Sequence, residues 1–268
     1  MWARPGLSSR SCSAARASAS VRWTSSTTCT VCCAASDLLI RGNPSPNVDA
    51  RPPGCPIDTL ILHYTGMPSA EAALARLRDP AAKVSAHYLI DEDGTVVALV
   101  PESERAWHAG VSSWQGQPRL NDRSIGIELV NPGHEWGYRP FPDAQYAACI
   151  ELCRAIGARW PIPARRVLAH SDVAPERKQD PGELFDWTRL AAAGIGLWPS
   201  AGAGRPRSTA KLQEELARFG YTVPRHGHLD AATRCAVTAL QRHFRPERVD
   251  GEPDQATLAR LDGLLALL

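Results

Sequence analysis

Hydrophobic positions along the chain follow two rhythms, and the rhythm changes with position. Residues 57–63 (IDTLILH) form a short apolar run that reads as a buried strand. Residues 124–130 (SIGIELV) and 166–170 (RVLAH) repeat the pattern further on. Residues 87–91 and 95–100 flank Asp93-Gly94, a dipeptide that favours a hairpin turn. Helical periodicity marks 69–79, opening on Ser69 as a cap, and the long amphipathic stretch 143–160. Strands interleaved with helices predict an α/β fold, with a mixed central β-sheet flanked by helices.

Beyond residue 198 the pattern becomes purely helical. Residues 199–208 (PSAGAGRPRS) are rich in Gly, Pro and Ser and read as a linker. Residues 209–219, 230–244 and 254–265 then predict a small C-terminal three-helix domain. Two of these helices open on Asp-x-x-Thr, at Asp230/Thr233 and Asp254/Thr257, where the side chains can cap exposed N–H groups. The expected division is 1–36 as a disordered arm or a start site placed too early, 37–198 as the main domain, 199–208 as linker and 209–268 as the helical domain. A chain ending near Pro199 is therefore expected to fold without the helical domain.

Composition narrows the function classes. Apolar residues make up 44% of 268 and charged residues 22%, ordinary for a globular protein. The formal charge of +2, without a long basic run, points away from nucleic acid. No run of eighteen apolar residues suggests a transmembrane segment. The eight cysteines are too scattered for a disulfide scaffold, and Cys149 and Cys153 read as buried thiols on a helix. Cys29, Cys32 and Cys33 lack a matching second pair for a metal site. Residues 1–36 hold four arginines and no acidic residue, with no apolar core of a signal peptide.

Three predicted strands carry polar residues at or near their ends, where buried backbone meets solvent: His63, Glu128 and His170. Asp180 and Lys178 follow His170 in the run HSDVAPERKQDPG. Two histidines and a carboxylate form a known ligand set for a catalytic zinc, with one position left open. A base and an oxyanion partner complete such chemistry, and Glu128 and Lys178 are of the right types. On spacing alone the set is open, because eight histidines allow many triples and Asp172 rivals Asp180 as the carboxylate.

From about Asn43 to Trp187 the chain resembles the zinc-dependent N-acetylmuramoyl-L-alanine amidases, a family related to the peptidoglycan recognition proteins. The resemblance is carried by LILHYTG, SAHYLID, ERAWHAG, LNDRSIGIELVN and LAHSDVAPERKQDPG. It implies one Zn2+ per chain held by His63, His170 and Asp180, with Glu128 as general base and Lys178 stabilising the oxyanion. Asp180 is preferred because the family's ligand stands directly before Pro181-Gly182, leaving Asp172 as a cap. His87, Tyr88, Trp107, His108 and Asn131 fall in the same motifs and are expected to contact substrate. Trp107 would stack on a sugar face, against ordinary core packing as the alternative. His134, His226, His228 and His243 are expected at the surface. Residues 209–268 resemble the peptidoglycan-binding three-helix domain, through KLQEELARFGY, GHLDAATRCAVTALQRHF and VDGEPDQATLARL.

The function so implied is hydrolysis of the amide between N-acetylmuramic acid, or its 1,6-anhydro form, and L-alanine, in cell-wall turnover or recycling. The expected partners are peptidoglycan or muropeptides. The alternatives are a non-catalytic peptidoglycan-binding protein and a zinc peptidase of the stem peptide; the chain has no HExxH helix of the common peptidase kind. Lack of a signal peptide favours the cytoplasm, and a wall-binding domain favours the periplasm or envelope.

Overall fold

The computed structural model describes residues 29–30 and 39–268. In chain order the strands are β1 (Cys29–Thr30), β2 (Leu39–Gly42), β3 (Val48–Ala50), β4 (Thr59–Tyr64), β5 (Tyr88–Ile90) and β6 (Val96–Ala98). They continue with β7 (Glu104–Ala106), β8 (Ser113–Trp114), β9 (Gln117–Pro118), β10 (Ser124–Leu129) and β11 (Val167–Ala169). The helices are α1 (Ala70–Arg78), α2 (Gly133–Trp136), α3 (Asp143–Arg159), α4 (His170–Val173) and α5 (Trp187–Ala192), then α6 (Thr209–Phe219), α7 (Ala231–Phe244) and α8 (Gln255–Leu265).

Local chemistry sets most of these boundaries. The Ser69 hydroxyl accepts from the Ala72 N–H at 3.2 Å and starts α1. Asp230 and Asp254 accept from the N–H groups of Thr233 and Thr257 and start α7 and α8. The hairpin closes where the Asp91 N–H donates to the Thr95 carbonyl, with Gly94 at φ +87°. Cys149 and Cys153 are buried free thiols on α3. Cys29–Thr30, within the stretch expected to be an arm, pair with β2, whereas Cys12, Cys32 and Cys33 lie outside the described residues. No described helix is long and apolar enough to cross a membrane.

Seven strands form one mixed sheet in the order β1-β2-β6-β5-β10-β4-β11, parallel from β5 through β10 and β4 to β11. Alternation along the strands separates its two faces. Leu60, Leu62, Tyr88, Ile90, Ile125 and Ile127 pack against α3 and α5 on one face. The other face has two covers: α1 over Leu89 and Val97 at one end, and the C-terminal helices over Ile61 and Leu168 at the other. Between these covers the carboxyl ends of the central strands stay open, where ligands commonly bind in open α/β sheets.

The helical module is docked on the main domain. Its Leu212, Leu216, Phe219, Ala236 and Leu240 share one core with Trp114, Leu120, Leu168 and Val173. Gly220 lies so close to Trp114 that a Cβ would come within 2.4 Å of the indole ring, so the contact needs glycine. The 199–208 segment is pinned too: the Gly202 N–H donates to the Ala259 carbonyl at 2.7 Å and the Gly204 N–H to Asp262 at 2.9 Å. Arg207 bridges Glu215 and Asp262.

Candidate active site

The register of three adjacent parallel strands builds the site. Glu128 on β10 is directly opposite His63 on β4, and Ala169 on β11 is opposite Leu62, so His170 leaves β11 level with His63. Asp180 returns to this row because the Ser171 N–H donates to the Asp180 carbonyl at 3.0 Å. These residues, with Lys178, line a cavity of about 570 Å³. Arg76 and Leu77 of α1, Trp107 and Trp136 also line it.

His63 Nδ1, His170 Nδ1 and Asp180 Oδ2 form a triangle with sides of 2.9, 3.0 and 2.9 Å. Such a donor set fits one divalent cation, because bonds of about 2.0–2.1 Å to nitrogen and carboxylate oxygen reach all three atoms at once. The opposite ring nitrogens have partners that free Nδ1 as the ligand atom. His170 Nε2–H donates to the Ala109 carbonyl at 3.1 Å. The Ser124 hydroxyl donates to the Leu120 carbonyl at 2.7 Å, so its oxygen accepts from His108 Nε2 at 3.0 Å. His108 Nδ1 is then an acceptor and receives the His63 Nε2 proton at 3.0 Å.

Electrostatics favour the ligand forms. Burial pulls His63 down to about 4, helped by the charge of His170 and opposed by Asp180, so the ring is neutral near pH 7. Burial alone would raise the Asp180 carboxyl, but His170 and His63 outweigh it and hold it far below the carboxylate range. Glu128 behaves oppositely: burial and then the charge of Asp180 raise it well above its ordinary value, with Lys178 opposing. Its Oε2 is shielded from solvent and has no hydrogen-bond partner. The residue as a whole is only half-buried, so the orphaned oxygen matters more than the overall exposure.

The expected substrate contacts divide. Trp107 and His108 reach the cavity wall. Trp107 is half-buried and donates from Nε1 to Asp49 at 2.7 Å; His108 is also the buried support of His63. His87, Tyr88 and Asn131 are not brought there. Tyr88 is opposite Ile127 in register, which turns it to the α3 face, where its hydroxyl donates to Glu102 at 2.8 Å. His87 is buried behind His108, bonded to Arg51 at 3.0 Å and to the Gly126 N–H at 2.9 Å. Asn131 is buried and braces the following loop through the Arg139 carbonyl and the Gly133 N–H. Gly126 is where β10 meets His108, since a Cβ there would sit 2.5 Å from the imidazole.

Sequence reasoning missed several participants. Ser124 anchors His108 only through the folded register, which leaves no local signal. Arg177, beside Lys178, pins the 109–111 loop by donating to the Ala109 and Val111 carbonyls at 2.8 and 2.6 Å. Trp136, 57% exposed on the cavity rim, was legible as a large aromatic in the polar run PGHEWGY. His134, His226 and His228 are exposed, as expected. His243 is not: it is 2% exposed, stacked 3.7 Å from the ring of Trp187 and bonded to Asp172.

Comparison with known proteins matches this architecture. The N-acetylmuramoyl-L-alanine amidase family matches residues 53–183, and a peptidoglycan binding domain matches residues 207–261. The chain is 43% identical over 231 residues to the N-acetylmuramoyl-L-alanine amidase AmiD of Escherichia coli, covering 78% of this chain and 82% of that protein. It is 40% identical to the 1,6-anhydro-N-acetylmuramyl-L-alanine amidase AmpD of Enterobacter cloacae, over 56% of this chain and 87% of that one. Among solved structures, AmiD in complex with anhydro-N-acetylmuramic acid-L-Ala-D-gamma-Glu-L-Lys superposes with a TM-score of 0.72 at 40% identity, covering 82% of this chain and 93% of that one. AMPDH3 of Pseudomonas aeruginosa, in complex with anhydromuramic pentapeptide, also gives 0.72, at 34% identity over 82% and 95%.

Proposed function

The chain belongs to the N-acetylmuramoyl-L-alanine amidase family, and from that premise we propose that it hydrolyses the amide between the lactyl group of N-acetylmuramic acid, ordinary or 1,6-anhydro, and L-alanine in peptidoglycan or muropeptides. The observation that carries this reading is the donor triangle of His63, His170 and Asp180 set beside the orphaned carboxyl of Glu128 in one cavity. His63, His170 and Asp180 would hold a zinc ion, which would supply Lewis acidity for the scissile carbonyl and for water.

The protein's own groups do the rest. Glu128 takes a proton from the attacking water and passes one to the departing amine of L-alanine. Burial and the neighbouring Asp180 raise its pKa above the ordinary carboxyl value, which favours holding the proton that is then returned to the amine. Lys178 lines the same cavity and offers its ammonium to the oxyanion that develops on the carbonyl oxygen. His108 holds His63 in the tautomer that leaves Nδ1 free. Trp107 and Trp136 offer aromatic surface for the glycan or the peptide. A protein that only bound peptidoglycan would gain nothing from an unpaired buried carboxyl, which costs stability.

The test is mass spectrometry of products from soluble anhydro-muropeptides and from intact sacculi. Free muramyl glycan with an intact stem peptide supports the amidase. Shortened stem peptides would replace it with a peptidase, and unchanged substrate with zinc-loaded protein would leave a binding protein.

A further inference from the structure

The segment that carries two of the three metal donors has little order of its own. Between His170 and Asp180 only α4, four residues long, is helical, and so short a helix is held by packing rather than by its own bonds. What holds it on the side away from the cavity is the C-terminal module.

Asp172, two residues after His170, is 1% exposed and fully engaged. Its Oδ2 accepts from the Ala169 N–H at 2.8 Å and from His243 Nδ1 of α7 at 2.7 Å. Its Oδ1 accepts from the Tyr221 hydroxyl at 2.7 Å. The Ala169 bond fixes the Leu168–Ala169 peptide, one residue before His170. His243 and Tyr221 are each 2% exposed, and the His243 ring is held between Trp187 at 3.7 Å and Phe244 at 3.8 Å. A second tie runs from the same helix to the far side of Asp180, where Arg242 approaches Glu183 at 3.6 Å.

We propose that Tyr221 and His243 of the C-terminal module are positioning residues of the metal site, setting through Asp172 the orientation in which His170 meets Asp180. The module then does more than bring the enzyme to its polymer: it completes the scaffold of the catalytic centre. This rests on the reading that His63, His170 and Asp180 hold zinc. Partners one step behind the ligands matter because a donor displaced by a few tenths of an ångström binds the ion less well. Removing a partner bonded directly to a ligand commonly costs about 10–100-fold in metal affinity, and Tyr221 and His243 act one step further out, so the low end of that range applies.

The test uses the full chain and Zn2+ alone, with affinity measured by competition against a chelator. Tyr221→Phe keeps the ring and removes one bond to Asp172, and His243→Leu removes the other. Both are expected to bind one zinc at saturation, with affinity lowered on the order of 10-fold. His243→Asn, which places an amide N–H near the Nδ1 position, is expected to recover most of that loss. Leu216→Ala, in the shared core but outside the Asp172 network, controls for general loosening and is expected to keep wild-type affinity. The rise in Tm on adding zinc gives a second readout. A purely structural role lowers the metal-free and zinc-loaded Tm together, whereas a positioning role shrinks the increment at fixed free zinc. Folded Tyr221→Phe with wild-type affinity and increment would overturn the proposal, as would equal losses in Leu216→Ala. If His243→Leu fails to fold, Tyr221→Phe decides alone. A wild-type chain without stoichiometric zinc would instead bring down the underlying metal assignment.

Discussion

Asp172 and Asp180 stand two and ten residues after the same histidine, and both are buried, at 1% and 6% exposure. One faces the helical module and the other faces the cavity. Both Asp172 oxygens are taken, by the Ala169 N–H of its own segment and by an imidazole and a phenol of the module. On the cavity side a single Asp180 oxygen meets two imidazole nitrogens at hydrogen-bond distance, a crowding that one cation resolves. Identical chemistry serves as scaffold in one place and offers a donor to the proposed metal site in the other. The difference lies in what the fold sets opposite each carboxylate: a packed domain, or a space open to substrate.

The sharpest way to break that contrast is to remove the ligands. His63→Ala, His170→Ala and Asp180→Ala should each lose bound zinc and all measurable amidase activity, because two remaining protein donors hold the ion poorly. Elemental analysis showing full zinc in purified Asp180→Ala would return Asp172 to candidacy. Next in size, Glu128→Gln should keep its zinc and lose on the order of 10²–10⁴ in kcat. Lys178→Ala should keep zinc and lose roughly 10²–10³ if its ammonium serves the oxyanion. Wild-type turnover in either zinc-loaded variant would remove that residue from the mechanism.

A third, smaller effect concerns the module. A chain ending at Pro199 exposes Trp114, Leu168 and Val173, at about 1.5–3 kcal/mol for each large apolar side chain uncovered. Against a total stability of about 5–15 kcal/mol, the truncated chain should melt well below the full-length protein. AmpD, whose match covers only 56% of this chain, shows that a related amidase can be shorter; here the seam is apolar and needs its cover. Equal Tm values for the two chains would show that the apolar seam adds little to stability.

The smallest effect is a pH dependence. Glu128 has its folded pKa raised by burial and Asp180, so at pH values between its unfolded and folded pKa the folded chain binds more proton there than the unfolded chain does. Its contribution to stability therefore falls as pH rises through and above the unfolded value of about 4.3. In zinc-free protein, Glu128→Gln should melt higher than wild type near pH 7, with the gap closing towards pH 4. A constant gap across that range would show that the carboxyl is not held protonated.

The sequence alone was enough for the rhythm of the elements: apolar runs for β4, β10 and β11, capped periodicity for α1, α7 and α8, and a Gly-containing hairpin turn. These are local effects of backbone preference and side-chain alternation, so they survive without a partner. It also placed His63, Glu128 and His170 at or near the ends of buried strands, and the family motifs added Asp180 and Lys178. Which polar residues would share a cavity was a matter of register. Tyr88 and Glu128 both stand on strands of one sheet, yet a one-residue difference in pairing sends Tyr88 to the opposite face. His87 and Asn131 became scaffold because Gly126, Arg51 and the 131–139 loop close around them. His243, at the end of an amphipathic helix and expected in solvent, is buried against Trp187 and Asp172, and Asp172 lies 71 residues away in sequence. No local pattern encodes such a contact. Only the docking of one folded unit on another decides that an imidazole is enclosed rather than wet.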